Sequence, residues 1–331
     1  MIEHTILSRQ NPISWIRRKL EEERALFPKK VRLRADHYLK RRLMILPDEG
    51  KSVIFDPSLG KPVPYATFWF ADALDLRDAN AVKRLALGLL YVSLYTTITD
   101  DLNDQRNATR PEDRMLANFY LDQYVRVFQR LFPAESRFGR YLSEGRKETM
   151  RYELWRAAKA GKRSIRPLSA RFLRESSRYF VGVVLPTLAG VALLSGREDA
   201  VPSIRRFLRH FSMGWRIFDD MNDWEKDIVV SSQNHSSFLG HIFTRTGRTP
   251  TREVVLSGFL SPDLVKDVYQ ALLAHFESAR IEVLEFRNIY LDEFMNEQIG
   301  FHVAKRDELL RSGSILRDHL TARLLGSVNP A

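Results

Sequence analysis

The chain has 331 residues, 44% hydrophobic and 28% charged, with 16 glycines and 14 prolines. That is enough apolar material for a large buried core, and too little Gly and Pro for a turn-rich or low-complexity chain. It contains no cysteine, which excludes disulfides, thiolate metal sites and a cysteine nucleophile. The net charge is +11, and much of it falls early: Arg9 to Arg42 holds twelve Lys/Arg and four Asp/Glu, a balance of +8. This balance attracts phosphate groups, nucleic acid or an anionic lipid surface, and it equally describes a solvated pair of amphipathic helices. Residues 1–10 show no basic stretch followed by an apolar run, so the chain is expected in the cytoplasm.

In chain order, residues 12–46 read as two basic amphipathic helices broken near Pro28, and residues 47–64 as a loop punctuated by Pro, Gly and Asp. Residues 66–106 carry long apolar content with Asp78 as an internal N-cap, and Leu87, Tyr91, Leu94 and Ile98 recur there at helical spacing. Arg110-Pro111 marks a turn, followed by helices near 111–132 and 134–160 and a basic loop at 161–167. Residues 169–195 read as an apolar helix broken by Gly182, Pro186 and Gly190. Tyr179 to Gly196 is uncharged over 18 residues, the lower limit for a membrane span, but a broken helix in a protein core is the better reading. Helices are expected over 200–228, 262–288 and 290–322, with a polar loop at 231–237. No long alternating segment suggests a strand. The expected fold class is all-α, a helical bundle around a central cavity. Its organisation is read as basic N-terminal helices at 1–46, a main helical domain at 47–325 and a tail at 326–331.

Two acidic clusters carry the chemistry. The first, Asp100-Asp101-Leu102-Asn103-Asp104, ends an apolar helix. Asp100 and Asp104 are four apart and stack on one face, where like charges repel and a helix C-terminus disfavours anions. The second is Asp219-Asp220-Met221-Asn222-Asp223, continued by Asp227. Asp219, Asp223 and Asp227 fall at i, i+4 and i+8 and line one stripe beside the apolar Trp215, Ile217, Phe218 and Met221. Carboxylates beside such surface need a partner, and a hard divalent cation supplies one. A single such string is often a solvated helix end; two strings, each following an apolar helical run, favour a joint site. Facing each other across a bundle, they are expected to clamp a diphosphate through Mg²⁺ and make it a leaving group. The histidines show no ligand spacing.

The paired Asp-Asp-x-x-Asp motifs resemble those of the class I isoprenoid synthases, which include trans-polyprenyl diphosphate synthases and class I terpene synthases. The resemblance covers roughly residues 60–240. It implies an all-α fold, Mg²⁺ as cofactor, an allylic prenyl diphosphate as substrate, a homodimer, and catalytic or metal-binding roles for Asp100, Asp101, Asp104, Asp219, Asp223 and Asp227. Gly214-Trp215-Arg216-Ile217-Phe218 resembles the approach to the second motif, with Arg216 at a position usually Gln. Lys226-Asp227 resembles the Lys-Glu that ends the metal motif of many terpene cyclases. Gly60-Lys61 followed by Phe68 to Leu74 resembles the segment where elongating synthases bind isopentenyl diphosphate. On these matches Lys61, Arg178, Arg216 and Lys226 would contact diphosphate, Arg178 because it precedes the expected helix break. Tyr91, Tyr95 and Thr96, within about two turns before the first motif, would line the hydrocarbon pocket.

Three departures guide the choice within the family. Pro62-Val63-Pro64 lacks the arginine that elongating synthases place after Gly-Lys. Arg106 and Arg110 are separated where those enzymes have adjacent arginines, and Ser176-Ser177-Arg178 stands where they have Lys-Thr. The leading expectation is therefore a one-substrate class I terpene synthase acting on farnesyl or geranylgeranyl diphosphate. The alternative is a trans-prenyltransferase that elongates an allylic diphosphate with isopentenyl diphosphate. A non-enzymatic basic module is a third reading; no nucleic-acid partner is expected, because acidic clusters repel phosphate without metal, while a peripheral membrane contact through the N-terminal helices stays open.

Overall fold

A computed structural model describes residues 12–43, 63–104, 110–159, 170–229 and 237–326. In chain order the helices are α1 (Pro12–Ala25), α2 (Lys29–Leu43), α3 (Val63–Ala73), α4 (Ala79–Asp104), α5 (Pro111–Leu131), α6 (Phe138–Lys159) and α7 (Ala170–Leu194). There follow α8 (Val201–Asn222), α9 (Trp224–Val229), α10 (Ser237–Thr246), α11 (Arg252–Phe259), α12 (Pro262–Leu284) and α13 (Ile289–Gly326). Among the described residues there is no strand, as the sequence pattern requires.

Local chemistry sets the helix boundaries. Asp78 caps α4, its Oδ1 accepting from the backbone N–H groups of Asn80 and Ala81 at 3.0 Å each. Pro111 opens α5 with Glu112 and Asp113 in the first turn, where a missing N–H costs nothing and acids meet the positive end of the dipole. Thr251 and Ser261 cap α11 and α12. The sequence reading placed nothing over 238–261, where α10 and α11 form. Their signals are short: the Thr251 cap and the buried Phe238, Leu239, Ile242 and Val255.

The chain forms two compact units that interleave along the sequence. The first holds residues 1–146, 182–204 and 286–291. Its core is α4, with Leu85, Leu89, Leu90, Leu94 and Ile98 buried, packed on α5 with its buried Leu116, Tyr120 and Phe128, and with Leu85 beside Gly190 of α7. Each such fully buried side chain is worth roughly 1.5–3 kcal/mol. The basic N-terminal helices belong to this unit: Ile16, Leu20, Ala35 and Tyr38 are buried. The second unit holds residues 147–181, 205–285 and 292–331. Its core joins Phe207, Phe211 and Ile217 of α8 with Leu272 and Phe276 of α12 and Phe294 of α13.

The expected break in the apolar helix does not occur. α7 runs through Gly182, Pro186 and Gly190 without interruption. Pro186 has no N–H for the carbonyl of Gly182, one turn back, and its ring crowds that turn. Gly145 of α6 supplies the room: a Cβ there would lie 2.6 Å from Pro186 Cγ and 2.7 Å from the Gly182 oxygen. Gly190 likewise lies against Leu85 and Phe132, which a Cβ would meet at 3.1 and 3.2 Å. The residues that read as breakers are points of close helix approach. α4 and α7 are long and apolar enough to cross a membrane, but 89% and 72% of their apolar windows are buried inside the fold.

Candidate active site

The first aspartate cluster closes α4, and Asp100 and Asp101 are half-buried at its last turn. Asp104 ends the helix; its side chain lies outside the described residues, as does Lys61. The turns leading to the cluster are rich in hydroxyls that bond back to their own helix. Ser93 donates to the Leu89 carbonyl at 2.9 Å, Thr96 and Thr97 to that of Ser93 at 3.0 and 2.8 Å, and Thr99 to that of Tyr95 at 2.8 Å. Of the expected pocket residues, Thr96 is buried and Tyr95 half-buried. Tyr91 is buried and donates to Glu23 Oε1 at 2.5 Å. Burial pushes the Glu23 carboxyl above the usual carboxylate range, against the Tyr91 hydrogen bond that lowers it.

Three residues beside this cluster escaped the sequence reading. Arg34 of α2 makes a bidentate pair with Asp113 of α5, Nε to Oδ1 at 2.7 Å and Nη2 to Oδ2 at 2.9 Å. Arg34 also donates to the Tyr38 hydroxyl at 3.2 Å. Burial raises the Tyr38 phenol, and the charges of Asp113 and Asp101 raise it further against the pull of Arg34. Tyr38 therefore stands within electrostatic reach of the motif. Nothing in the sequence pairs Arg34 with a residue 79 positions away.

The second cluster closes α8. Asp223 sits in a bend between α8 and α9, yet its N–H bonds to the Asp219 carbonyl at 2.9 Å and the Asp227 N–H to the Asp223 carbonyl at 3.0 Å. The main chain thus keeps Asp219, Asp223 and Asp227 in one helical register. Asp219 is exposed, and Asp223 and Asp227 are half-buried. Asp220 is 2% exposed and accepts from Arg216 Nη2 at 2.7 Å. Burial works against the charge on Arg216, but Asp220, then Tyr152, Asp219 and Asp227, hold it more firmly protonated than an ordinary guanidinium. Arg216 is thus locked to the acidic stripe from behind. Lys226 lies on α9, its side chain outside the described residues.

Arg178 lies within α7 rather than at a break. It donates to Glu148 at 2.6 Å and to Glu175 at 2.7 Å, so two carboxylates already occupy the group expected to sense diphosphate. Aromatic rings back the second cluster. Phe218, adjacent to Asp219, meets His302 edge-on at 4.6 Å, and His302 stacks on Phe276 at 4.9 Å. His302 and Gln298, one turn apart on α13, are fully buried, and their four side-chain nitrogen and oxygen atoms have no hydrogen-bond partner among the described residues. Burial holds the His302 imidazole down to about 4, hence neutral at pH 7.

Among the described residues no three carboxylate or imidazole side chains are gathered tightly enough to cage a metal ion. A cage is not what Mg²⁺ asks for: it binds through one or two carboxylates and takes its other oxygens from phosphate and water. The all-oxygen donors of Asp219, Asp223 and Asp227 in one register fit that requirement.

No family model matches the sequence, and no curated protein matches it either. Solved structures do. Heptaprenyl diphosphate synthase from Staphylococcus aureus superposes with a TM-score of 0.65 at 15% identity, covering 88% of this chain and 97% of that one. This chain has the isoprenoid synthase fold. Geranylgeranyl pyrophosphate synthetase from Geoglobus acetivorans shares the fold with a TM-score of 0.58 at 15% identity, over 87% of this chain and 99% of its own. A geranyltranstransferase from Methanosarcina mazei shares it with a TM-score of 0.57 at 12% identity, over 92% and 100%. Within the isoprenoid synthase fold the first aspartate string ends the apolar helix α4 and the second lies at the end of the amphipathic helix α8.

Proposed function

We propose that the protein acts on an allylic prenyl diphosphate and elongates it with isopentenyl diphosphate, as a trans-prenyltransferase. The observation that carries the reading is the unbroken register of Asp219, Asp223 and Asp227 across the α8–α9 bend, backed by the Arg216–Asp220 pair. The similar structures bear the names of a heptaprenyl diphosphate synthase, a geranyltranstransferase and a geranylgeranyl pyrophosphate synthetase. These names support elongation over the cyclase expected first from the sequence. Asp100, Asp101 and Asp104, with Asp219, Asp223 and Asp227, would hold Mg²⁺, which when bound supplies Lewis acidity toward the diphosphate oxygens. The chain itself supplies the rest. Arg216 fixes Asp220 and keeps the acidic stripe from repelling itself apart, and Phe218 braces Asp219 against His302.

A second reading keeps specific support. Pro62-Val63-Pro64 and Ser176-Ser177-Arg178 lack the cationic groups of the isopentenyl diphosphate site, and Arg178 is paired with Glu148 and Glu175. A one-substrate class I terpene synthase needs none of them. Incubation with geranyl, farnesyl or geranylgeranyl diphosphate and Mg²⁺, with and without isopentenyl diphosphate, separates the two by mass spectrometry. Elongation gives a product one isoprene unit longer and only with the second substrate; a cyclase releases diphosphate and a hydrocarbon or alcohol without it. Asp219→Asn is expected to lower turnover at least about 100-fold by removing charge stabilisation while leaving helicity unchanged. Absence of diphosphate release from every allylic substrate in Mg²⁺ would overturn both readings.

A further inference from the structure

The turn between α1 and α2 displays a surface for which the catalytic reading has no use. Leu26 is 81% and Leu33 62% exposed. Leu26 stands in the turn, and Leu33 sits on the face of α2 that carries Lys29, Lys30 and His37, all exposed. The opposite face, Val31, Ala35 and Tyr38, is buried. The two leucines are therefore not the ragged edge of a core.

The turn is also rigid. Leu26 and Phe27 donate backbone N–H groups to the Glu23 and Arg24 carbonyls, both at 3.1 Å. Arg32 Nη2 ties the carbonyls of Ala25 and Phe27 together at 3.0 and 3.1 Å. Phe27 anchors it edge-on against Phe119 of α5 at 4.8 Å. The backbone of the turn is thus already ordered in the free protein, which favours binding by a preformed surface.

Charge gives the partner. From Ala25 to Ala35 there are four Lys/Arg and no acidic residue. Arg34 is neutralised by Asp113, whereas among the described residues Arg32 bonds only to neutral carbonyls. Lys29 and Lys30 make no ion pair among the described residues. Protruding aliphatic side chains ringed by cations match the two layers of an anionic bilayer surface, hydrocarbon beneath phosphate. A nucleic-acid backbone would reward the cations but not the leucines.

We propose that the α1–α2 turn seats the protein on anionic membranes, with Leu26 and Leu33 entering the lipid and Lys29, Lys30 and Arg32 lying at the headgroups. The test is flotation of the full chain with vesicles of phosphatidylcholine alone or mixed with phosphatidylglycerol. Binding is expected only to the mixed vesicles, to weaken with rising NaCl, and to resist millimolar inorganic diphosphate, which separates a lipid surface from a free-phosphate site. Leu26→Asp/Leu33→Asp is expected to reduce partitioning at least about 10-fold. Lys29→Glu/Lys30→Glu is expected to do the same through charge. All four positions are exposed, so the melting midpoint should hold in both variants; should the leucine variant misfold, the lysine variant alone decides. Equal binding to neutral vesicles, wild-type partitioning in the lysine variant, or binding of duplex DNA in place of vesicles would overturn the proposal.

Discussion

Arg216 and Asp220 stand one helical turn apart, and Asp220 is almost wholly withdrawn from water. Truncating one member of such a pair strands the other's charge, so Arg216→Gln and Asp220→Asn should each lower stability by about 1–3 kcal/mol. The double variant should lose less than their sum, with a coupling of about 1 kcal/mol in denaturant melts; strict additivity would mean the pair contributes nothing. His302 makes a separate case. Its two ring nitrogens are buried without a hydrogen-bond partner among the described residues, and its folded pKa of about 4 is below that of an unfolded histidine. The unfolded chain therefore binds the proton more readily, and His302 costs stability as pH falls from about 6.5 toward 4. His302→Phe, stacked on Phe276 in the same place, should raise the melting midpoint and flatten its decline over that interval. An unchanged pH profile would show that other groups govern acid unfolding.

Elements show what could be read from sequence and what could not. Asp78 as a cap, Pro111 as a first-turn residue and the first aspartate string as a helix end are local signals, and each stands where its chemistry puts it; the bend at Asp223, inside the helix expected over 200–228, carries no such signal. The Gly145 contact with Gly182 and Pro186 is not local: the two halves lie some forty residues apart, and breaker residues look alike whether they end a helix or admit a neighbour. The same limit hid Arg34 and Tyr38 beside Asp101, and the bond from Tyr91 to Glu23, 68 positions earlier. α10 and α11 were missed because they are 10 and 8 residues long, too short for an apolar period to declare itself. Gly145→Ala tests the close approach. With a Cβ at 2.6 Å from Pro186 and 2.7 Å from a main-chain oxygen, α6 or α7 must shift, at a cost of about 1–3 kcal/mol. A variant as stable as the parent would mean the two helices separate freely.

At the level of the whole molecule, four of the five boundaries between the two units fall inside helices, in α6, α7, α8 and α13. Melting one unit alone would cut α6 and α7 near their middles and α8 and α13 within about a turn of their starts, and strip each cut end of its hydrogen bonds. A single transition is therefore expected in guanidinium despite two compact units. Far-UV circular dichroism and tryptophan fluorescence, with Trp15 and Trp69 in one unit and Trp155, Trp215 and Trp224 in the other, should give coincident curves. Separate midpoints would show that the units unfold independently.

Four of the seven residues of α4 just before Asp100 are serine or threonine: Ser93, Thr96, Thr97 and Thr99. With the O–H groups of Ser93, Thr96, Thr97 and Thr99 turned onto main-chain oxygens, the stretch offers its surroundings β-carbons and methyl groups instead. Replacing Thr96 or Thr99 with valine would therefore remove only a bond to the side chain's own helix and should change stability by less than about 1 kcal/mol.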